Sequence, residues 1–280
     1  MADLPVVNAL WISQALGPVH AACLLSFKQQ GHRVVLHGYE LPPDLPAEIE
    51  FSDARAVLPE NTIFRHAKNG SYGPFSDVFR YEVLAAGLGV WTDCDVYCLK
   101  PIQDAPYILG WHGKNVLNGA ILKLPLDCPA LKDLRQLRFG VYNVPWLKRK
   151  RWQDSLRKLI RMPAPLAKVD QLALGPLALT WFAKKHGIDR YAAPPDVYYP
   201  VHFNYVRLLF DPGVSLADLV TRRTVAVHLY NEVITRDRLS NIPPGSPLAE
   251  MLANSFGPGR GVTERNSQSR SQRTEVVQDV

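Results

Sequence analysis

Cysteine is scarce in this chain. Only four cysteines occur among 280 residues, and they do not form the two C-x-x-C pairs that are typical of a structural zinc site. Cys94 and Cys98 are the closest two in sequence. We therefore expect free, buried thiols in a reducing compartment, and neither a disulfide framework nor a zinc centre.

Long apolar runs are also missing. No stretch approaches the roughly 20 apolar residues that are needed to cross a bilayer. Residues 1–14 lack the basic region and the apolar run of a signal peptide, and the chain shows no internal repeat. These absences predict a cytoplasmic protein, with a peripheral position at the inner membrane face as the alternative.

The charge is only mildly unbalanced. The chain has 32 Lys and Arg against 26 Asp and Glu, a net charge of +6. This excess suits an anionic ligand or a membrane surface but is not specific for nucleic acid, so no nucleic-acid partner is expected. With 47% hydrophobic residues, residues 1–253 predict one folded domain. Residues 254–280, rich in Gly, Ser, Arg, Gln and Asn, predict a disordered tail.

The order of apolar patterns near the start of the chain indicates a βαβ unit. A β-branched apolar run at 6–12 is followed by helical spacing over 19–30 and a short apolar run at 33–36. Such a unit implies parallel strands joined by a right-handed crossover. Further strands are predicted at 90–92, 107–111, 116–124 and 224–230, and further helices at 77–86, 130–138 and 146–162. The fold class is therefore α/β, with a Rossmann-type, mixed but mostly parallel sheet flanked by helices.

Two aspartates follow one of the predicted strands. Asp93 and Asp95 stand one residue apart, directly after the apolar run 90–92. Residues i and i+2 of a strand point to the same side, so both carboxylates can converge on one cation. Hard divalent cations prefer such oxygen ligands and often carry substrate phosphates as further ligands. The pair alone is a weak signal, because such pairs arise by chance and also cap turns.

Four other residues are candidates for chemistry, and each has a purely structural alternative. Asp77 and Arg80 share one face of a predicted helix, where they could simply form an ion pair. Trp11 ends the first strand, where ligands lie in open α/β sheets, and could stack on a base or be a core aromatic. His228 ends a late strand and could complete a metal shell or be a structural histidine.

Segment 146–162 is strongly basic. It holds seven Lys or Arg residues and one Asp. This composition is typical of a solvated helix face, and it also fits contact with an anionic membrane or with an acceptor at its surface. The sequence leaves both interpretations open.

Residues 76–101 resemble the metal- and sugar-binding region of the glycosyltransferases of family 32. That family includes initiating mannosyltransferases and the catalytic domains of large clostridial toxins. The positions in register are Ser76, Asp77, Arg80, Tyr81, Leu84, Asp93, Asp95, Leu99, Lys100 and Pro101. Weaker similarity extends to Trp11, 118–125, 175–176 and 228–230. The chain departs from the family where Leu88 separates two usually adjacent glycines, and where Trp91 replaces the usual tyrosine.

The resemblance implies a retaining glycosyltransferase of the GT-A fold. It implies a catalytic site in which Asp93 and Asp95, with His228 as a further ligand, hold Mn²⁺ or Mg²⁺ on the diphosphate of the donor. A hard cation at that position neutralises the charge that develops on the leaving nucleoside diphosphate.

The resemblance also implies a binding site for a UDP- or GDP-sugar donor. Asp77 and Arg80 would hold the sugar and phosphate groups as part of the catalytic site, Asn118 would contact the donor, and Trp11 would stack on the base. The acceptor would be a glycan or a lipid-linked sugar, as in the biosynthesis of a bacterial surface polysaccharide.

Two other functions remain open from the sequence. A Mg²⁺-dependent phosphatase with an aspartate nucleophile also carries D-x-D at a strand end. That motif normally opens its fold and is followed by Thr, whereas here it lies at 93–95 and is followed by Val96. A non-catalytic protein that binds nucleotide-sugars or glycans would keep the same residues.

Overall fold

A computed structural model of the chain describes residues 4–141, 144–147, 156, 159–160, 162–231, 233, 239 and 241–257. The strands within these ranges are β1 (Val7–Trp11), β2 (Val34–Gly38), β3 (Glu50–Asp53), β4 (Val90–Thr92), β5 (Val96–Cys98), β6 (Ile108–Trp111), β7 (Leu117–Lys123) and β8 (Ala226–His228). The α-helices are α1 (Pro18–Gln29), α2 (Gly73–Ala85), α3 (Pro129–Gln136), α4 (Pro176–Lys185), α5 (Pro195–Tyr198), α6 (Leu216–Leu219) and α7 (Pro247–Phe256).

Six of the strands form one mixed sheet in the order β3-β2-β1-β4-β7-β6. The pairs β3-β2, β2-β1 and β1-β4 are parallel, and the pairs β4-β7 and β7-β6 are antiparallel. Val7 pairs with Val34 across the parallel β1-β2 ladder, which confirms the βαβ unit. The prediction of an α/β protein with a mostly parallel, helix-flanked sheet is confirmed.

The sheet contributes to two apolar cores. Successive strand residues point to opposite faces, so the neighbours Val90 and Trp91 belong to different clusters. Val90 packs with the residues of α1, and Trp91 packs with those of α2, α3 and α4. The four cysteines are buried and free, as their spacing predicts.

Helix α2 begins at Gly73, one turn before the predicted start at residue 77. Pro74 lies in its first turn, where the fixed φ of proline favours a helix and its missing N–H costs no hydrogen bond. The longer helix places Asp77 and Arg80 on its buried face rather than at its start.

The chain leaves the main sheet directly after β4. Asp93 and Asp95 lie in the turn between β4 and β5. The predicted convergence of the two carboxylates is present, but it arises from this turn and not from strand alternation. Strand β5 pairs instead with β8 in a separate antiparallel ladder, in which Val96 faces His228. This ladder, and not the main sheet, brings His228 to the aspartates.

Two predicted boundaries differ from the structure. The predicted helix 146–162 does not begin at Trp146, which lies in a turn and donates its indole N–H to the Ala173 carbonyl at 2.9 Å. Most of that segment, including 148–155, lies outside the described residues. Helix α7 continues past the predicted domain end at 253, and the predicted tail beyond 257 is also outside the described residues. None of the helices that the structure describes has the length and apolar character needed to cross a membrane.

Gly89 allows the close approach of β4 to β1. Its φ is +127°, and a Cβ at this position would lie 2.2 Å from the Val6 carbonyl oxygen. We expect Gly89→Ala to lower the free energy of unfolding by about 3 kcal/mol or more, because backbone cannot yield as a flexible side chain can. Urea denaturation measures this loss. Gly113→Ala, where a Cβ meets nothing within 4 Å, is the control, and equal stability of the two variants would contradict the prediction.

Candidate functional site

A cavity of about 2240 Å³ opens at the edge of the sheet where the parallel strands end. Its lining includes Trp11 at the end of β1, Asp93 after β4 and His112 after β6. Strand β7 is antiparallel to β4, so its first residues, including Asn118, lie at the same edge. This is the edge at which open α/β sheets bind ligands.

Three potential metal ligands converge in this cavity. One ligand atom each from Asp93, Asp95 and His228 lies within 4.8 Å of the other two. The Nε2 atom of His228 is 3.3 Å from Oδ1 of Asp95. Two carboxylates and one imidazole form a donor set that fits a divalent cation.

The chain that follows β8 holds Asp95 in place. The backbone N–H of Leu229 donates to the Asp95 carbonyl at 2.8 Å, and the N–H of Asn231 donates to the Asp95 carboxylate at 2.7 Å. Between them, Tyr230 has a φ of 52°, which turns the backbone so that both amides face Asp95. The position of this carboxylate is therefore set by backbone that is distant in sequence.

Asp95 and His228 are electrostatically linked. Burial favours a higher pKa for Asp95, but the attraction of His228 and the hydrogen bonds from His228 and Asn231 outweigh it, so the pKa lies well below its ordinary value. Burial opposes the charged form of His228, but Asp95 and Asp93 raise its pKa above the ordinary value. An ionised carboxylate thus faces an imidazole that readily carries a positive charge, and a bound cation would take the place of that proton.

Arg80 connects helix α2 to the aspartate turn. One guanidinium nitrogen, Nη2, is 3.2 Å from Asp77 Oδ1 and 3.1 Å from Asp93 Oδ1. The indole N–H of Trp91 donates to the same Asp93 oxygen at 2.8 Å. The predicted pair of Asp77 and Arg80 is present, but sequence reasoning missed its extension to Asp93. Arg80 therefore orients one of the potential metal ligands.

Two glycines make room for this network. A Cβ on Gly175 would lie 2.4 Å from both carboxylate oxygens of Asp77, and a Cβ on Gly119 would lie 2.4 Å from Nη1 of Arg80. The sequence marked these glycines only through their weak similarity to a family. Their physical role depends on contacts that no local pattern reveals.

Trp11 and Asn118 occupy the two flanks of the aspartates. The Trp11 ring lies 4.6 Å from the ring of His20, and its N–H donates to the Ala15 carbonyl at 3.2 Å. Asn118 is buried and its side-chain oxygen accepts from the N–H of Ala120 at 2.8 Å. The cavity lining includes all seven sequence-predicted residues: Trp11, Asp77, Arg80, Asp93, Asp95, Asn118 and His228.

Several lining residues were not predicted from the sequence. Buried polar side-chain atoms without a hydrogen-bond partner are uncommon in proteins, and among the described residues five such atoms belong to residues that line this cavity. They are His20 Nε2, Arg80 Nε, His112 Nε2, His228 Nδ1 and the Tyr230 hydroxyl. Of these residues, only Arg80 and His228 were predicted site residues. Tyr230 lies in the weakly similar stretch 228–230, and His20 and His112 lie in no motif.

Residues that carry unpartnered polar atoms therefore concentrate around one large cavity, which indicates a binding site for a polar ligand. A comparison with protein-family models and a comparison with curated proteins both return no match for this chain.

Proposed function

We propose that this protein is a metal-dependent, retaining glycosyltransferase of the GT-A fold, which transfers a sugar from a UDP- or GDP-sugar to a glycan or lipid-linked acceptor. The observation that carries the proposal is the convergence of Asp93, Asp95 and His228 at the ligand-binding edge of the sheet. The retaining outcome follows from the resemblance of residues 76–101 to family 32.

The residues around the aspartates fit a site for a diphosphate and a cation. Mn²⁺ or Mg²⁺, when bound, supplies positive charge for the leaving nucleoside diphosphate. Asp95, held by two backbone amides, and Asp93, held by Arg80 and Trp91, present preoriented oxygens. Preorientation matters because fixed groups need no rearrangement while charge develops on the leaving group.

The cavity is large enough for two substrates. Its volume of about 2240 Å³ exceeds the roughly 300–1,000 Å³ of a typical small-ligand pocket. Trp11 on β1 and Asp93 after the neighbouring strand β4 lie side by side along one edge of the sheet. A nucleotide along this edge would have its base at Trp11 and its diphosphate at Asp93. Asp77, Arg80 and Asn118 then lie on the side of the sugar, which supports their assignment to donor binding.

Gly175→Ala tests the sugar side of this site. Since the added Cβ would lie 2.4 Å from both Asp77 oxygens, we expect it to displace that carboxylate. Affinity for the donor sugar-nucleotide should fall about tenfold, and the free energy of unfolding should fall by about 1–3 kcal/mol. Calorimetric titration and urea denaturation measure the two effects. Unchanged donor affinity, relative to Gly113→Ala, would argue against a role of Asp77 in binding.

The phosphatase alternative is disfavoured by the position of the aspartates. The motif of that class normally opens its fold and is followed by Thr, whereas here it lies at 93–95 and is followed by Val96. A non-catalytic binding protein would retain the whole arrangement, so this alternative becomes an outcome of the experiment below.

The experiment that tests the proposal measures turnover of sugar-nucleotides. Purified protein is incubated with UDP-glucose, UDP-galactose, UDP-N-acetylglucosamine and GDP-mannose, with Mn²⁺, Mg²⁺ or a chelator. Slow release of UDP or GDP that requires the metal supports a transferase, because water can replace the missing acceptor. Metal-dependent binding without release indicates a binding protein. Release of phosphate from simple phosphomonoesters would overturn the proposal in favour of a phosphatase.

We further propose that the acceptor lies at the inner face of a membrane and that segment 146–162 contacts this surface. Four described apolar side chains of the segment are exposed, among them Leu159 at 80% and Met162 at 64%, whereas Trp146 and Leu147 pack against the core. Apolar side chains among many Lys and Arg residues fit an anionic bilayer surface. Flotation with vesicles of anionic lipid compares wild type with a charge-reversed 148–151 variant, and equal binding would refute the contact.

A further inference from the structure

An aromatic cluster lies beside the candidate metal ligands. We define it as His112, His202, Phe203 and Tyr230. The His112 ring is stacked on His202, with centroids 5.3 Å apart and an interplanar angle of 11°, and on Phe203 at 5.5 Å. The Tyr230 ring is 5.6 Å from His112 and 4.0 Å from the metal-ligand candidate His228. The cluster therefore adjoins the predicted metal position directly.

The cluster faces the same cavity. His112, Phe203 and Tyr230 all line it, and Phe203 remains 38% exposed although it is a large apolar residue. A partly exposed aromatic ring in the wall of a polar cavity is a typical contact for a ligand with a flat apolar face.

The sheet order places the cluster opposite Trp11. Neighbouring strands run β1-β4-β7-β6, with Trp11 ending β1 and His112 following β6. The aspartates follow β4 and therefore lie between Trp11 and the cluster. A nucleotide with its base on Trp11 and its diphosphate at the aspartates would direct its sugar towards the cluster.

The backbone conformation and the buried hydroxyl of Tyr230 are both unfavourable for the stability of the fold. Among the described residues, Tyr230 is the only non-glycine residue whose φ is positive. Glycine adopts positive φ without strain, whereas a residue with a Cβ does not. Its hydroxyl is buried without a hydrogen-bond partner, as is Nε2 of His112. Strained backbone and unsatisfied polar groups concentrate at functional sites, where the side chain is needed for something other than stability.

A sugar ring matches the chemistry of this wall. A pyranose has one face of C–H bonds, which gains from burial against aromatic rings, and a rim of hydroxyl groups that both donate and accept hydrogen bonds. Tyr230 and His112 line the cavity, and each carries one unpartnered polar atom of this kind. We propose that the aromatic cluster is a subsite for a neutral pyranose ring, belonging to either the donor or the acceptor. This inference rests on the proposed function, because the direction from Trp11 assumes a bound sugar-nucleotide.

The test compares Phe203→Ala with Tyr191→Ala in the full chain with Mn²⁺. Tyr191 is a matched control, since its ring is 47% exposed and stacks on Tyr107 outside the cavity lining. Calorimetric titration uses three kinds of probe. The first is UDP or GDP alone, and the second is a sugar-nucleotide that carries glucose, galactose, N-acetylglucosamine or mannose. The third is a methyl glycoside of one of these sugars, added with UDP or GDP at saturation. We expect Phe203→Ala to weaken a sugar-bearing probe about tenfold and UDP or GDP by less than about twofold.

The probes distinguish the two sources of the sugar. Weakened binding of a sugar-nucleotide assigns the subsite to the donor, and weakened binding of a methyl glycoside assigns it to the acceptor. Tyr230→Phe is a second variant that retains the ring. Because it removes an unpartnered buried hydroxyl, we expect an unchanged or higher melting temperature together with about threefold to tenfold weaker sugar binding. A merely structural role would leave the sugar affinity unchanged.

Three outcomes would overturn the subsite. These are equal sugar affinity in Phe203→Ala and wild type, equal weakening of UDP or GDP alone, and no sugar-dependent binding by any probe. With any of these outcomes, the proposed function remains supported if UDP or GDP still binds to the wild-type protein with Mn²⁺ and binds more weakly to Asp95→Asn. Conversely, a methyl glycoside that binds wild type without nucleotide, and weakens in Phe203→Ala, would support the subsite even if the transferase proposal failed.

Discussion

Asp95→Asn should lower the metal-dependent release of nucleotide from the donor by at least about 100-fold. The asparagine keeps the shape of the side chain but removes the negative charge of a proposed metal ligand. The Asp95 carboxylate accepts from the Asn231 N–H, and the Asp95 backbone carbonyl accepts from the Leu229 N–H. The substitution also removes the charge that faces His228 at 3.3 Å. Release assays across a Mn²⁺ titration measure the loss, and calorimetry with Mn²⁺ and UDP or GDP measures the accompanying loss of binding.

Asp127→Asn is the control for this prediction. Asp127 is exposed and does not line the cavity, so its replacement changes the net charge by the same amount without touching the site. We expect wild-type turnover and metal affinity from it. If Asp95→Asn retained metal-dependent release within about tenfold of this control, the assignment of Asp95 as a metal ligand would be wrong.

Arg80→Met should lower the free energy of unfolding by about 3–5 kcal/mol. The guanidinium is buried between Asp77 and Asp93, with side-chain exposures of 6%, 7% and 25% in that order. Methionine fills a similar volume without charge, so both carboxylates lose their compensating cation in a setting of low polarity. Urea denaturation measures the effect, and Arg55→Met, at an exposed ion pair, should leave the stability nearly unchanged because solvent screens that pair.

A second substitution separates charge from packing at this position. If the loss in Arg80→Met comes from uncompensated charge, adding Asp77→Asn should restore part of the stability, so that the two effects are not additive. Additive losses would mean that Arg80 stabilises the fold through its packing on Trp91, whose ring lies 5.4 Å from the guanidinium carbon. The orientation of Asp93 would then need another explanation.

Local patterns in the sequence were sufficient for much of the fold. The apolar run 6–12, the helical spacing of 19–30 and the run 33–36 correspond to β1, α1 and β2, because period and length depend only on near neighbours in the chain. The i, i+3 spacing of Asp77 and Arg80 likewise placed them on one helix face, where they form the predicted ion pair. The start of α2 at Gly73, one turn before the predicted start at residue 77, was missed, although Pro74 favours a first helical turn.

Long-range pairing decided the site. His228 reaches Asp95 because β8 pairs with β5, and Asn231 donates to Asp95 across 136 residues of chain. Strand pairing at such a separation leaves no periodic signal, so the sequence suggested a strand end where the structure has a turn. The aromatic cluster has the same origin, since His112, Phe203 and Tyr230 lie on three separate segments.

Three features of the site that result from close packing leave no signal in the sequence. These features are the positive φ of Tyr230, the ion pairs of Arg80 with two carboxylates, and the lack of room for a methyl group at Gly175. The sequence alone determined which residues carry suitable chemistry and the secondary structure on which most of them lie. The tertiary structure decided which of them meet, because distances between remote segments depend on how the sheet edges, the β5-β8 ladder and the two cores pack together.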